Sequence, residues 1–177
     1  MTSLTGPDVP ARPHIAIIGL MGAGKSTLAE AISGHLKWPM RDSDADIQLL
    51  TGRTGREIAA TDGVDPLHRL EEAVLLGVLA GPEPTVVTAA GWTVDSEVCR
   101  FALKRRAMVV WLDITVDDVM VRMATGHHRR SMSRPEVESI SARRRPLMQE
   151  LADVTLDARL AEPELLAAVV AALPTLD

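Results

Sequence analysis

The sequence predicts an α/β fold of three layers, in which a central parallel sheet of about five strands has helices on both faces. One observation is the β-branched run at residues 15–18, which is followed by a glycine-rich turn and then by helical periodicity. Another is the continuous apolar run at residues 108–113, which is typical of a parallel strand covered on both faces. A β-rich run at residues 85–89 adds a third strand, and helical patterns between the runs favour crossover connections.

Length and composition indicate one folded domain. The chain has 177 residues, of which 46% are hydrophobic and 24% are charged, as is ordinary for a globular protein. Residues 1–13 hold three prolines and lack the apolar run of a signal peptide or a membrane span, so we expect a flexible tail there. The single domain then covers residues 14–177.

Charge and cysteine content argue against several classes of partner and site. The net charge of −5 argues against non-specific binding to nucleic acid. The single cysteine, Cys99, excludes an internal disulfide and a cysteine-rich zinc site, and it fits a reducing compartment. We therefore expect a cytoplasmic protein that does not bind nucleic acid. We also expect that it has no membrane partner and that it is a monomer.

The stretch from Gly19 to Ser26 is predicted to be a phosphate-binding loop. Gly19, Gly24, Lys25 and Ser26 match the pattern G-x-x-x-x-G-K-[ST], with a strand before it and a helix after it. The glycines let backbone N–H groups surround a polyphosphate, Lys25 adds positive charge, and the Ser26 hydroxyl can ligate Mg²⁺. A glycine-rich turn with a solvated lysine is the alternative, and the flanking strand and helix argue against it. The residues expected to contact the nucleotide are Gly22, Ala23, Gly24, Lys25, Ser26 and Thr27.

The base of that nucleotide is predicted to be adenine. The chain contains no asparagine, so the Asn-Lys-x-Asp motif with which GTPases read guanine is absent. ATP with Mg²⁺ is therefore the expected cofactor pair.

Two acidic residues stand at the end of the next predicted strand, residues 41–44. Strand alternation would place Asp42 and Asp44 on one face, beside the phosphate loop, because the carboxyl ends of parallel strands meet at one edge of a sheet. One carboxylate can then approach the metal while the other accepts a proton from an attacking hydroxyl. Alternatively, Asp44 caps a helix that begins at Ala45. The phosphate loop upstream favours the first interpretation.

Residues 46–81 are predicted to be mostly helical, with breaks at residues 51–52, near Gly55 and at residues 62–63. The last of these helices covers about residues 65–79, and its buried side is expected to hold Leu67, Leu70, Val74 and Val78. The remaining predicted elements are helices at 28–36, 95–105, 116–124, 136–151 and 162–173 and a strand at 154–157.

Short motifs extend this pattern beyond the phosphate loop. They are Asp42-Ser43-Asp44, Ile47 with Thr51-Gly52-Arg53, Ala60-Thr61-Asp62-Gly63 and Arg69-Leu70-Glu71-Glu72. Together with the loop they resemble the shikimate kinase family, over about residues 15–173. The resemblance implies a P-loop kinase fold of the nucleoside-monophosphate-kinase type and transfer of the ATP γ-phosphate to a hydroxyl of shikimate or a similar acceptor, in aromatic amino-acid biosynthesis. It also implies an acceptor-binding region at about residues 44–81 and a lid at about residues 125–134.

Four residues match the family's phosphate, magnesium and substrate positions. The resemblance implies that Ser26 and Asp42 hold Mg²⁺, that Lys25 is catalytic, and that Asp44 is the catalytic base and contacts the acceptor. Thr88 matches a small hydroxyl residue that helps to hold magnesium-bound water in the family, although β-propensity alone also explains a threonine there.

Four arginines are assigned roles by the same resemblance. Arg122 would lie against the adenine base, and Arg159 falls in the adenine-side loop. Arg129 is the catalytic lid arginine that folds over the transferring phosphate. Arg130 is the alternative for this role, and a solvated basic loop is the alternative interpretation of the whole segment. The family's Arg-Pro-Leu-Leu sequence is missing here. Arg144 would contact the carboxylate of the acceptor.

The acceptor side departs from the family at two places. The arginine that holds the acceptor carboxylate is replaced by His68, an imidazole that has no bidentate fork and is an ordinary helical histidine in the alternative interpretation. Of three consecutive glycines that line the pocket only Gly91 remains, between Ala90 and Trp92. The indole of Trp92 either narrows the acceptor pocket or packs in the core.

These departures leave three interpretations of the function. The chain phosphorylates shikimate, or it phosphorylates a different small polyol, cyclitol or hydroxy acid, or it is a nucleotide-binding protein that has lost catalysis. The presence of Lys25, Ser26, Asp42 and Asp44 together argues against the third.

Overall fold

The computed structural model describes residues 12–125 and 132–173, in which five strands are joined by one or more helices each. The strands are β1 (His14–Gly19), β2 (Met40–Asp42), β3 (Val86–Thr88), β4 (Ala107–Asp113) and β5 (Val154–Asp157). The helices are α1 (Lys25–Leu36), α2 (Ser43–Thr51), α3 (Gly55–Thr61), α4 (Val64–Ala80), α5 (Glu97–Arg106), α6 (Val116–Thr125), α7 (Arg134–Leu151) and α8 (Glu162–Ala172), with a 3-10 helix at Gly91–Val94. Arg129 and Arg130 of the predicted lid and most of the predicted tail lie outside the described residues.

The five strands form one parallel sheet in the order β2-β3-β1-β4-β5. β1 is central, and Ile15 pairs with Val86 of β3 on one side and with Met108 of β4 on the other. All the strands therefore end at the same edge of the sheet, where ligands bind in folds of this kind. The predicted strand number and direction are confirmed.

Helices cover both faces of the sheet, as the sequence predicted. Because crossovers between parallel strands are right-handed, α1 lies on one face, and α8, which follows the last strand, packs against α1 there. The same handedness places α4, α5 and α7 on the other face, where α5 contacts both of its neighbours. Among the described helices, none has the length and apolar character needed to cross a membrane.

The core lies on both sides of the two central strands. Every residue of β1 is buried, and so are the first six residues of β4. Ile15 and Ile17 of β1 and Leu28 and Ile32 of α1 are almost completely shielded from solvent. Because both faces of these strands are covered, their sequences are continuously apolar rather than alternating.

Three helices between β2 and β3 form the predicted acceptor-binding region, with breaks where the sequence predicted them. α2 ends at Thr51, and its C-cap is Gly52, whose φ of 70° is the left-handed conformation that glycine adopts readily. α3 begins with a capping box, in which Thr54 and Glu57 satisfy each other's backbone N–H groups. Arg53 forms an ion pair of 2.8 Å with Asp62 at the other end of α3.

Two local predictions are wrong. β2 ends at Asp42 instead of continuing to residue 44, because Asp42 is the N-cap of α2 and ends the extended backbone. In α4 the most buried positions are Glu71, Leu75 and Leu79 rather than the predicted set, whose members are only partly buried. The helix is therefore rotated relative to the prediction, because its periodicity allowed two adjacent faces.

Candidate active site

The phosphate loop is a tight turn between β1 and α1 whose backbone only glycine fits well. Gly19 has a φ of 154°, and a Cβ there would lie 2.8 Å from the carbonyl oxygen of Leu112. Gly24 has a φ of 97° and is the N-cap of α1. The first turn of α1 carries no acidic residue and no side-chain cap, so its N–H groups and the positive end of its dipole are directed at the loop. An anion is the ligand that suits this arrangement.

Lys25 is the first residue of α1 and is 9% exposed. Its Nζ donates hydrogen bonds to the carbonyl oxygens of Gly19 and Leu20, at 3.1 and 3.2 Å. The ammonium group is thus held over the same turn that would receive the phosphates. Gly22, Gly24, Ser26 and Thr27 are exposed and Ala23 is buried, so the predicted nucleotide contacts surround one loop.

Asp42 joins three elements at the carboxyl edge of the sheet. Its Oδ2 accepts hydrogen bonds from the hydroxyls of Ser26, at 2.7 Å, and Thr88, at 3.0 Å. Its Oδ1 accepts from the backbone N–H groups of Asp44 and Ala45, at 3.0 and 3.3 Å. Burial raises the pKa of Asp42, but these hydrogen bonds outweigh it and the pKa lies below its usual value.

This oxygen cluster has the chemistry of a magnesium site. A carboxylate and two hydroxyls are hard oxygen donors, and Mg²⁺ commonly binds one or two carboxylate groups together with substrate phosphates and water. The described residues contain no group of three or more His, Cys, Asp or Glu side chains that could hold a metal unaided. Ser26 and Asp42, the two predicted metal ligands, therefore lie together beside the loop that would bring the phosphates.

Asp44 lies in the first turn of α2 and its carboxylate is exposed. It does not share a strand face with Asp42, because β2 has ended, and it does not cap α2, because Asp42 does so. The alternation argument for the two aspartates is therefore wrong. They are nevertheless adjacent, since the N–H of Asp44 donates to the Asp42 carboxylate.

His68 of α4 and Trp92 of the 3-10 helix stack on each other. Their ring centroids are 4.2 Å apart and their planes differ by 12°. Both side chains are half-buried, and Trp92 does not join the hydrophobic core. Burial lowers the pKa of His68, and the positive charge of Arg144 lowers it further, while Asp65 and Asp95 partly compensate. The imidazole is therefore predominantly neutral at pH 7.

Gly91 lies between this stack and the phosphate loop. A Cβ on Gly91 would be 3.2 Å from Nη1 of Arg144 and 3.8 Å from the carbonyl oxygen of Gly19. Four of the five predicted acceptor residues, His68, Gly91, Trp92 and Arg144, are thus brought together next to the loop. The retained glycine leaves room for the guanidinium group.

Asp95 is a residue of this cluster that sequence reasoning missed. Its Oδ2 accepts from Nε and Nη2 of Arg144, at 2.9 and 2.8 Å, and from Nη2 of Arg143, at 3.0 Å. The partners are almost 50 positions apart in the chain, so no local pattern could have paired them. Arg145, the third arginine of the run, instead binds Asp113 at 2.5 and 2.7 Å.

Arg122 of α6 contacts the phosphate loop. Its Nη1 donates to the carbonyl oxygens of Gly22 and Ala23, at 2.8 and 3.1 Å, and its Nη2 donates to that of Ala158, at 2.7 Å. It therefore ties the phosphate loop to the turn after β5. Arg159 of that turn is exposed and paired with Asp157, and its hydrogen bonds lower the pKa of Asp157 to about 2. The two predicted adenine-side arginines therefore lie near each other, because Arg122 contacts Ala158, the residue before Arg159.

Comparisons with known proteins show which family the chain is similar to. The family model described as shikimate kinase matches residues 21–174. A shikimate kinase of Baumannia cicadellinicola subsp. Homalodisca coagulata is 32% identical over 150 residues, which are 82% of this chain and 86% of that protein. One of Mycobacterium leprae is 31% identical over 149 residues, or 82% of this chain and 74% of that protein.

A solved structure extends the comparison to the fold. It is described as a shikimate kinase from Acinetobacter baumannii in complex with shikimate, and it matches with a TM-score of 0.81 at 24% identity. The match covers 90% of this chain and 91% of the other. At that identity the likeness shows a shared fold.

Proposed function

The chain belongs to the shikimate kinase family, and from that premise we propose that it transfers the γ-phosphoryl group of ATP to a hydroxyl of shikimate. Members of this family are phosphotransferases that use ATP with Mg²⁺. The observation that carries the proposal for this chain is the position of Gly91, which lies against both Gly19 of the phosphate loop and Arg144 of the acceptor cluster. A phosphoryl donor in the phosphate loop and a carboxylate-bearing acceptor at Arg144 would then both lie next to Gly91.

On the nucleotide side, Gly22–Thr27 would surround the phosphates, with Ser26 and Asp42 holding Mg²⁺. The metal supplies charge that counters the negative charge of the phosphates during transfer. Lys25 would exchange its hydrogen bonds to two carbonyl oxygens for hydrogen bonds to phosphate oxygens. This exchange is favourable because a hydrogen bond from an ammonium group to an anionic oxygen is stronger than one to a neutral carbonyl oxygen. Arg122 and Arg159 would line the adenine side.

Asp44 is proposed as the base that takes the proton from the attacking hydroxyl. Its carboxylate is exposed in the first turn of α2, and its backbone is fixed by the hydrogen bond to Asp42. The base and the proposed metal ligand would thus be held in one local unit. Arg129 is proposed as the residue that stabilises charge on the transferring group, on the strength of its spacing from Arg122 in the sequence.

On the acceptor side, we propose that Arg144 binds the carboxylate and that the stack of His68 on Trp92 forms a wall of the pocket. His68 contributes little charge, because its pKa is lowered. Binding of the acceptor carboxylate therefore depends on Arg144 alone, whereas the family pattern has a second arginine at the position of His68. We further propose that the chain acts in the cytoplasm as a monomer, without nucleic acid or membrane as a partner.

The proposal is tested by measuring ADP release with ATP and Mg²⁺ over shikimate, other hydroxylated acids and cyclitols. Shikimate should give the highest kcat/KM, and the product should carry one phosphate on a ring hydroxyl. Faster turnover of an uncharged cyclitol would contradict the proposal, and so would ATP binding without transfer to any acceptor.

A further inference from the structure

We propose that Asp95 is a specificity-determining residue, which limits how strongly the acceptor site prefers a carboxylate. This inference rests on the proposed function, because it concerns the arginine that would hold that carboxylate. It starts from the contact between Asp95 and Arg144, in which one carboxylate oxygen accepts from both Nε and Nη2 of the guanidinium group.

The first step concerns the hydrogen-bonding edges of Arg144. A guanidinium group binds carboxylates best through two parallel N–H donors. The edge formed by Nε and Nη2 is engaged by Asp95, and a Cβ on Gly91 would lie only 3.2 Å from Nη1. Arg144 is only 7% exposed, so the group cannot swing freely to present another edge. An incoming carboxylate therefore either competes with Asp95 or binds the guanidinium N–H groups that Asp95 does not engage.

The second step concerns charge. Asp95 and an acceptor carboxylate would both lie against the same guanidinium group and would repel each other. The side chains of Asp95 and Arg144 are 17% and 9% exposed, so solvent screens this repulsion only weakly. Arg143 also pairs with Asp95, but its side chain is 57% exposed and its charge is largely screened. Asp95 therefore reduces the positive potential that the site offers to a carboxylate.

The third step separates this effect from a purely positioning role. Asp95→Asn removes the charge and keeps an oxygen that can accept a hydrogen bond from Arg144, so the orientation of the guanidinium group can persist. If Asp95 only orients Arg144, the substitution should leave the preference for a carboxylate unchanged or weaken it. If Asp95 opposes carboxylate binding, the preference should rise.

The test compares shikimate with its methyl ester, which has the same ring hydroxyls and no charge. We expect Asp95→Asn to raise the ratio of kcat/KM for shikimate to kcat/KM for methyl shikimate by about tenfold, which corresponds to about 1.4 kcal/mol. The change should be in KM for shikimate, with KM for ATP unaltered. Asp113→Asn is the matched control, because Asp113 binds Arg145 of the same run, and it should leave the ratio at the wild-type value.

An unchanged or lower ratio in folded Asp95→Asn would overturn the inference. If that variant fails to fold, Asp95→Thr removes the same charge. Its ratio should also rise, and an unchanged or lower ratio would again overturn the inference. If the wild type phosphorylates neither compound, the proposed function fails, and calorimetry then decides the inference separately. Tighter shikimate binding to Asp95→Asn than to wild type would support it, and equal or weaker binding would overturn it.

Discussion

The imidazole of His68 lies flat on the indole of Trp92, with 4.2 Å between the ring centroids. These are the two bulky positions at which the acceptor side departs from its family, and they belong to different elements, α4 and the 3-10 helix. Their contact makes the two departures a single feature of the pocket wall. A change at either position therefore alters the environment of the other.

The double substitution His68→Arg with Trp92→Gly should raise kcat/KM for shikimate by at least about tenfold. A charge-assisted bidentate contact is worth about 1.5–3 kcal/mol, and removing the indole makes room for the acceptor. Both single variants should be measured as well, because contacting residues give non-additive effects. A wild-type KM for shikimate below about 1 mM, within the ordinary enzyme range, would show that Arg144 already compensates, and the expected gain would then be absent.

Lys25→Ala should abolish detectable phosphoryl transfer, with a loss of at least about a hundredfold in kcat, because removing one well-placed donor to developing charge costs about that much. The hydrogen bonds of its Nζ to the carbonyl oxygens of Gly19 and Leu20 lie within the phosphate loop, so the fold should persist. Lys25→Met is the matched variant that keeps the buried methylene groups. Turnover at the wild-type rate in either variant would refute the phosphate-loop assignment.

Asp42→Asn and Asp42→Ala should separate the structural role of Asp42 from its metal-binding role. Asparagine is a good N-cap and alanine is a poor one, so Asp42→Ala should be less stable than Asp42→Asn by about 1 kcal/mol in urea unfolding. Both variants lack the charge, so both should need more Mg²⁺ for half-maximal activity. A magnesium requirement that stays at the wild-type value would contradict the assignment of Asp42 as a ligand.

The protein should lose stability as the pH falls below about 6.5, in part because of His14. Burial lowers the pKa of His14; the carbonyl of Gly81 raises it, while the charge of Arg106 lowers it further. Its Nε2 donates to Gly81 O at 3.1 Å, and its buried Nδ1 has no hydrogen-bond partner among the described residues, so a proton there would be unpaired.

Because the unfolded chain binds this proton at an ordinary pKa near 6.5 and the folded chain binds it at a lower one, the stabilisation is complete above that pH. It is lost progressively between the two pKa values. Urea unfolding at pH 7.5 and 5.5 should show a smaller pH effect for His14→Gln, whose amide can still donate to Gly81. An equal pH effect in both proteins would exclude His14 as a contributor.

Arg129→Ala should reduce kcat by about a hundredfold or more, because arginines that contact a transferring phosphoryl group have large effects on its rate. Arg130→Ala is the matched control and should have a much smaller effect. If Arg130→Ala lowers kcat more than Arg129→Ala does, the catalytic role belongs to Arg130.

Most of the fold could be predicted from the sequence, because its dominant determinants are local. The apolar runs of β1 and β4 and the glycines of the phosphate loop each dictate one backbone arrangement. The end of β2 was harder, since Asp42 suits a strand and a helix cap equally well until the hydrogen bonds to Asp44 and Ala45 are known. The buried face of α4 depended on how the helix packs, which its own periodicity did not determine.

The candidate site was predictable where a motif carries the chemistry. Lys25, Ser26 and Asp42 belong to short patterns with known mechanics, and the structure brings them together. The contact of Asp95 with Arg144 joins residues that no motif connects, and it arises only when α7 packs beside the 3-10 helix. Pairings of this kind follow from tertiary structure, and no local sequence pattern predicts them.

The central position of β1 also has a consequence for biosynthesis. This strand leaves the ribosome before the other four described strands, yet its hydrogen-bonding neighbours start at Val86 and Ala107, so a very apolar segment remains without partners until those residues are made. Pairing between distant residues is slow and exposes apolar strands in the meantime. We therefore expect nascent chains that end before Asp113 to leave β1 incompletely paired, and the phosphate loop to become ordered only once β4 has emerged.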